Sequence, residues 1–232
     1  MKAAIVTGAS SGIGFEISKV LLDDGYLVYG IGRDFTKLNY KNSNFKKIIC
    51  DMTRIDNVTA CISKIKKESE IHLLVNNAGI GYFGLHEELN PKKIHEMISV
   101  NLESPLIITN MLLRNLKKNK GTIINISSIT ARKSSPHGCA YAATKAGLTH
   151  FSESLFDEVR KTGVKVVAIH PDMVKTNFYR NADFREDDEK DTYTDADTVA
   201  QAVKFILEIK DNAVITDITL RPQKHRIRKK DI

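Results

Sequence analysis

Tyr141 and Lys145 stand four residues apart at the start of a stretch with apolar residues at helical spacing. That spacing puts both side chains on one helix face, one turn apart. A tyrosine phenol titrates at about 10 and is a poor base at neutral pH unless a cation stabilises its phenolate. An ammonium one turn along favours the charged form and would bring Tyr141 toward the pH at which general acid–base catalysis works best. Helices carry such pairs by chance, so the neighbouring chemistry decides. Ser128 closes the segment Asn125-Ile126-Ser127-Ser128, thirteen residues before Tyr141. A hydroxyl there could donate to a carbonyl oxygen as charge builds on it. Asn101 falls in the middle of an apolar helical stretch, where an amide adds nothing to helix stability. It reads either as a buried amide satisfied by backbone groups or as the holder of a water that relays protons to Lys145. Such a set would move a proton onto or off an oxygen while a hydride is transferred at its carbon.

The hydride would come from a dinucleotide, and the amino-terminal residues have the chemistry to seat one. The apolar run Ala3–Thr7 enters Gly8-Ala9-Ser10-Ser11-Gly12-Ile13-Gly14, and a helical pattern follows. A tight turn, close approach of backbone to a pyrophosphate and a helix started against the strand each favour a residue without Cβ. The helix N-terminus then offers free N–H groups and positive dipole to the phosphates. The spacing is GxxxGxG rather than GxGxxG, and an ordinary glycine-rich turn would look the same in isolation. About 20 residues further on, where the ribose 2′ position is read, stand Gly32, Arg33 and Asp34. Arg33 suits a 2′-phosphate. Asp34 would suit a free 2′-hydroxyl, or would cap the short helix that follows. The reading favours NADP(H) and leaves NAD(H) open. The positive ring of an oxidised nicotinamide would add to the field that favours the Tyr141 phenolate.

Seven short apolar runs recur along the chain: Ala3–Thr7, 27–31, 47–50, 73–75, Thr122–Ile126, 164–169 and 214–220. Most are apolar on both faces, as strands buried between helices must be. Helical patterns occupy 14–22, 55–65, 91–116, 140–160 and 197–209, with Asn90-Pro91 suited to an N-cap and first turn. The alternation predicts an α/β fold, a doubly wound, mostly parallel seven-stranded sheet with helices on both faces. One charged stretch, 180–194, interrupts it and is read as a lid over the substrate.

Composition excludes several function classes. No run approaches the roughly 20 apolar residues of a membrane helix. The start MKAAIVTGASSG is apolar too briefly for a secretion signal, so a cytoplasmic location is expected. Cys50, Cys61 and Cys139 form no metal-ligand spacing and read as reduced thiols. Most of the formal charge of +7 lies at the end, where Arg221, Lys224, Arg226, Arg228, Lys229 and Lys230 face Asp231 alone. Such a tail is most often a solvated or frayed terminus. Without aromatic interleaving or a basic body, it does not make a nucleic-acid binder.

Taken together, these motifs resemble the short-chain dehydrogenase/reductase family, of the single-domain kind, from Ala3 to about Pro222. The resemblance implies roles position by position. Gly8, Ser10, Ser11, Gly12, Ile13 and Gly14 would form the phosphate turn, with Arg33 at the ribose. Asp51 and Met52 would contact the adenine. Asn77, Ala78 and Gly79 match a motif that stabilises the sheet and lies along the cofactor. Asn101, Ser128, Tyr141 and Lys145 match the catalytic tetrad, the last two also touching the cofactor. Pro171, Val174 and Thr176 would flank the nicotinamide. The family implies a single domain over 1–222, with the lid at about 178–195 and a basic tail over 223–232. It also implies a small-molecule carbonyl or alcohol substrate, no metal, no nucleic-acid or membrane partner, and a homodimer or homotetramer. A non-catalytic sensor or scaffold is the alternative, but such relatives usually lose the tyrosine or lysine. One departure is Asp172, where the family usually has glycine after proline; its carboxylate is expected to turn to solvent. His170 is expected to be a packed strand-end residue.

Overall fold

The computed structural model describes residues 1–210 and 212–230. In chain order the elements are β1 Ala3–Thr7, α1 Gly12–Asp23, β2 Leu27–Gly32, β3 Phe45–Ile49, α2 Ile55–Glu68 and β4 Ile71–Asn76. They continue with α3 Pro91–Ile98, α4 Ser104–Asn119, β5 Thr122–Ile126, α5 Cys139–Val159 and β6 Lys165–Pro171. The short strands β7 Val174–Lys175, β8 Phe184–Glu186 and β9 Thr194–Asp195 precede α6 Ala196–Glu208, and β10 Asp217–Leu220 and β11 Ile227–Lys229 close the chain.

Seven strands form one parallel sheet in the order β10-β6-β5-β4-β1-β2-β3. The alternation of strand and helix leaves this doubly wound, Rossmann-like arrangement as the way to cover both faces. In β1 successive side chains alternate sides: Ala3 and Ile5 join the core under α2, α4 and α5, while Ala4 and Val6 join the core under α1 and α6. Fully buried Ile62, Leu112 and Leu116 fill the first, and Ile17, Leu21 and Val203 the second. Each such side chain contributes about 1.5–3 kcal/mol through its removal from water. The chain runs outward from β1 to β3 and then returns to place β4 on the other side of β1. That reversal opens a crevice at the carboxyl ends of β1 and β4, where sheets of this kind bind ligands.

Two expectations from sequence change here. The helix expected over 91–116 is interrupted at Ser99–Glu103 by a wider π turn, closed by Ser104 N–H donating to the Ser99 carbonyl. Pro105 explains it: proline has no N–H to give the Asn101 carbonyl four residues back, and its ring crowds that carbonyl. The second change is at the carboxyl end. Of the two readings of the basic tail, solvated holds for its mostly exposed residues and frayed does not: β11 pairs antiparallel with β8, inside the 180–194 stretch. Asp231 and Ile232, its last two residues, lie outside the described residues. Among the described residues no helix is long and apolar enough to cross a membrane.

Candidate active site

A cavity of about 660 Å³ occupies the crevice. At one end lies the glycine turn. Gly8 and Gly12 have φ of +70° and +56°, values that side chains rarely adopt, and a Cβ on Gly8 would lie 2.9 Å from the Ala78 Cα. A Cβ on Gly14 would come within 2.4 Å of both the Asn77 Nδ2 and the Gly8 oxygen. Gly14 therefore packs behind the turn, while Gly8, Ser10, Ser11, Gly12 and Ile13 line the cavity. Ser11 precedes α1 without a side-chain cap bond, so the first N–H groups of α1 face the cavity without a side-chain acceptor from it. This cradle fits a pyrophosphate.

The opposite wall begins at β4. The Thr7 hydroxyl accepts from the Asn77 and Ala78 N–H groups at 3.0 and 2.9 Å, and Asn77 Nδ2 donates to the Thr7 carbonyl at 2.8 Å. These bonds tie the β1 turn to Asn77, Ala78 and Gly79, all three of which line the cavity. Thr7 was not singled out in the sequence, although a hydroxyl closing a buried strand was its signal.

At the end of β2, Arg33, Asp34 and Lys37 all line the cavity. The Asp34 carboxylate is turned onto its own loop, accepting from Thr36 N at 2.7 Å and Thr36 Oγ1 at 2.9 Å. The Thr36 N–H bond, first, and its hydroxyl hold the Asp34 carboxyl below its usual range. Among the described residues no helix lies between Asp34 and β3, so the expected helix cap is not there; the Asp34 carboxylate closes a turn on Thr36 instead. Lys37 escaped the sequence reading because no motif marks it. Met52 lines the cavity, whereas Asp51 turns its carboxylate onto Thr53 N and Oγ1 at 3.0 and 2.8 Å.

Ser128, Tyr141 and Lys145 converge at the deep end, all lining the cavity and all buried. The Lys145 ammonium donates to the Ile126 carbonyl at 2.8 Å and lies 5.9 Å from the Tyr141 ring centroid. Ser128 Oγ accepts from Thr130 N and Oγ1 at 3.1 and 3.0 Å. Burial pushes Tyr141 up to about 12, against the pull of the Ser128 hydroxyl, and pushes Lys145 down to about 8. Within the protein alone, desolvation is the leading influence on the phenol and acts against its ionisation.

Asn101 is fully buried but outside the cavity lining. Its Oδ1 accepts from Ile80 N at 2.9 Å, and its Nδ2 donates to the Ile80 carbonyl at 2.9 Å and to Thr144 Oγ1 at 3.1 Å. The amide is therefore satisfied within the protein, while Pro105 withdraws the α-helical partner of its carbonyl. Gly79 separates this amide from Lys145, each lying 3.6 Å from where a Gly79 Cβ would sit.

Pro171, Val174 and Thr176 line the cavity beyond β6. Asp172 does not face solvent as expected: its side chain is 7% exposed, ringed by Arg221, Lys133 and His225 at 3.5, 3.7 and 3.9 Å. Lys133 reaches it from the segment after β5, and Arg221 and His225 from the segment after β10. His170 is fully buried and does more than pack, with Nδ1 at 3.2 Å from the Ser128 carbonyl and Nε2 at 2.7 Å from Asp217. Phe178 and Phe83 lie with ring centroids 5.5 and 5.6 Å from that of Tyr141. Neither was picked out in the sequence, since loop aromatics carry no periodic signal.

The short-chain dehydrogenase family model matches residues 2–187. The chain belongs to the short-chain dehydrogenase family. An uncharacterized oxidoreductase of Staphylococcus saprophyticus is 32% identical, over 95% of this chain and 97% of that protein. The 3-oxoacyl-[acyl-carrier-protein] reductase of Escherichia coli is 33% identical, over 77% of this chain and 76% of its own length. An alcohol dehydrogenase of Thermococcus sibiricus, solved with 5-hydroxy-NADP, superposes with a TM-score of 0.88 at 26% identity, covering 97% of this chain and 99% of that one.

In this short-chain dehydrogenase the glycine turn is the part least able to accept a side chain. Gly14→Ala should lower dinucleotide affinity at least about tenfold and destabilise the fold by about 1–3 kcal/mol through overpacking. Fluorescence titration with NADPH and a thermal melt read the two effects. Unchanged values in both would show that the turn has slack the geometry denies it.

Proposed function

We propose that this short-chain dehydrogenase transfers a hydride between NADP(H) and a small-molecule carbonyl/alcohol pair, with Tyr141 as the acid/base. The observation that carries the reading is the convergence of Ser128, Tyr141 and Lys145 at the deep end of a cavity whose other end is a phosphate cradle. The bound nicotinamide supplies the hydride in reduction and takes it in oxidation. Every other task falls to the chain. Ser128 and Tyr141 hold the substrate oxygen by donating to it, which stabilises charge as it develops. The buried phenol is protonated at neutral pH and gives its proton to that oxygen. Lys145, charged at pH 7 and fixed on the Ile126 carbonyl, stabilises the phenolate left behind and reaches toward the ribose. With the Asn101 amide spent, the carbonyl released by Pro105 is the group left to hold the relay water beside Lys145.

Arg33 and Lys37 in the cavity lining, with the Asp34 carboxylate engaged by Thr36, support NADP(H) over NAD(H). A charge-assisted bond contributes about 1.5–3 kcal/mol. Arg33→Ala should therefore cut kcat/KM with NADPH about ten- to hundredfold and leave that with NADH nearly unchanged. Equal losses with both cofactors would count against a 2′-phosphate contact. The test of the whole reading is a panel of carbonyls and alcohols followed at NAD(P)H absorbance with each cofactor. Half-buried Ile107 and Met111 on α4 and Phe151 and Phe156 on α5 support pairing with a second copy, to be checked by light scattering.

A further inference from the structure

The charged 180–194 stretch and the basic tail carry opposite signs, and the fold brings them together across about forty residues of sequence. Ile227, Arg228 and Lys229 pair antiparallel with Glu186, Arg185 and Phe184. Arg226 Nη1 meets Glu189 Oε1 at 2.9 Å, Lys224 Nζ meets Asp191 Oδ2 at 2.7 Å, and Arg228 meets Asp188. Lys230 closes the contact, its Nζ donating to the Tyr179 carbonyl and its backbone N–H to the Asp183 carbonyl, both at 2.7 Å. Tyr179 and Phe184 pack edge to face or tilted against Phe83, which packs on Tyr141.

We propose that the tail is a charge-matched strap that holds the 178–195 segment in place, with its charged residues acting as positioning residues for the lid. The claim that the held segment covers the reacting site rests on the functional reading above; the strap itself does not. An isolated exposed ion pair does little. Here several pairs flank a backbone ladder, so each restrains the same strand, and the acidic run of the lid is neutralised where it would otherwise repel itself. The tail also sends Arg221 and His225 to the buried Asp172, so one short segment grips both the lid and the rim of the cavity.

Amide hydrogen exchange of the full-length protein tests this without any substrate. Arg226→Glu alone and Glu189→Arg alone should each speed exchange across 183–189 about tenfold, and the double swap should bring it back to within about threefold of the parent. Peptides from β1 and β4 report whether the core remains folded. In 1 M salt, where the screening length is about 3 Å, the unaltered protein should show the same acceleration. Single reversals that leave lid exchange unchanged, or a double swap no slower than the singles, would overturn the strap. If the lid loosens as expected while NADPH-dependent turnover is unaffected, the strap stands, and the placement of the lid over the reacting site is what fails.

Discussion

Tyr141→Phe is expected to lower turnover with NADPH at least about a thousandfold while leaving the dinucleotide dissociation constant within about threefold. General acid–base groups contribute about 10²–10⁴ in rate, and in a closed site no solvent proton replaces a lost phenol. The substitution removes one oxygen and nothing else. The ring keeps its contacts with Phe83 and Phe178, and the glycine turn at the far end of the cavity is untouched. A buried hydroxyl is lost, so the fold should be as stable as before or slightly more so. Steady-state rates on an active substrate, paired with fluorescence titration of NADPH, separate the two quantities. Substantial turnover in the variant would remove Tyr141 from the chemistry, whatever its neighbours.

Lys145→Met should abolish turnover to a similar degree and yet stabilise the cofactor-free protein. Burial holds Lys145 at about 8, below its unfolded value of 10.5. Each unit of such a shift corresponds to about 1.4 kcal/mol, so keeping this lysine charged in the fold costs on the order of 3 kcal/mol at neutral pH. The sign follows from proton counting. Between about pH 8 and 10.5 the unfolded chain holds the proton and the folded chain has released it, so stability rises with pH across that window. Below about 8 both states are charged and the penalty is complete. Methionine has no proton to bind, so the variant should melt several degrees higher at pH 7 and lose the rise between 8 and 10.5. Tyr141 works in the opposite sense: its folded value lies above the unfolded one, so its contribution is lost as pH climbs from about 10 toward 12, in parent and variant alike. Thermal melts of both proteins across pH 7–10 without dinucleotide test the claim. A variant that melts lower at pH 7 would mean that the bond to the Ile126 carbonyl outweighs the cost of burial.

These two expectations point to a site that tolerates a burial penalty for the sake of its chemistry. The glycine turn, the Thr7 bonds to Asn77 and Ala78, and the His170 bridge between Ser128 and Asp217 all hold backbone. They fix where Ser128, Tyr141 and Lys145 stand, and Lys145 is kept in a place that would suit an apolar side chain better. Stabilising the fold and weakening the reaction are then expected from the same substitution.

What could be read from the residues alone was whatever depends on near neighbours. Short runs apolar on both faces marked the strands, and apolar residues recurring about every 3.6 positions marked the helices. The Gly8–Gly14 turn and the Tyr141–Lys145 pair were legible because their spacing sets their geometry. Pro105, too, stands in the sequence four residues after Asn101, and the π turn was there to be inferred from it. Tertiary structure decided what depends on contacts between distant segments. Asp34 engaged Thr36 in a turn rather than capping a helix. Asp172 was buried beside Lys133, Arg221 and His225. The tail met the acidic 180–194 stretch, and burial of Tyr141 and Lys145 set the direction in which each shifts. Burial and charge balance are sums over every atom packed nearby, and those atoms come from parts of the chain that no local pattern connects.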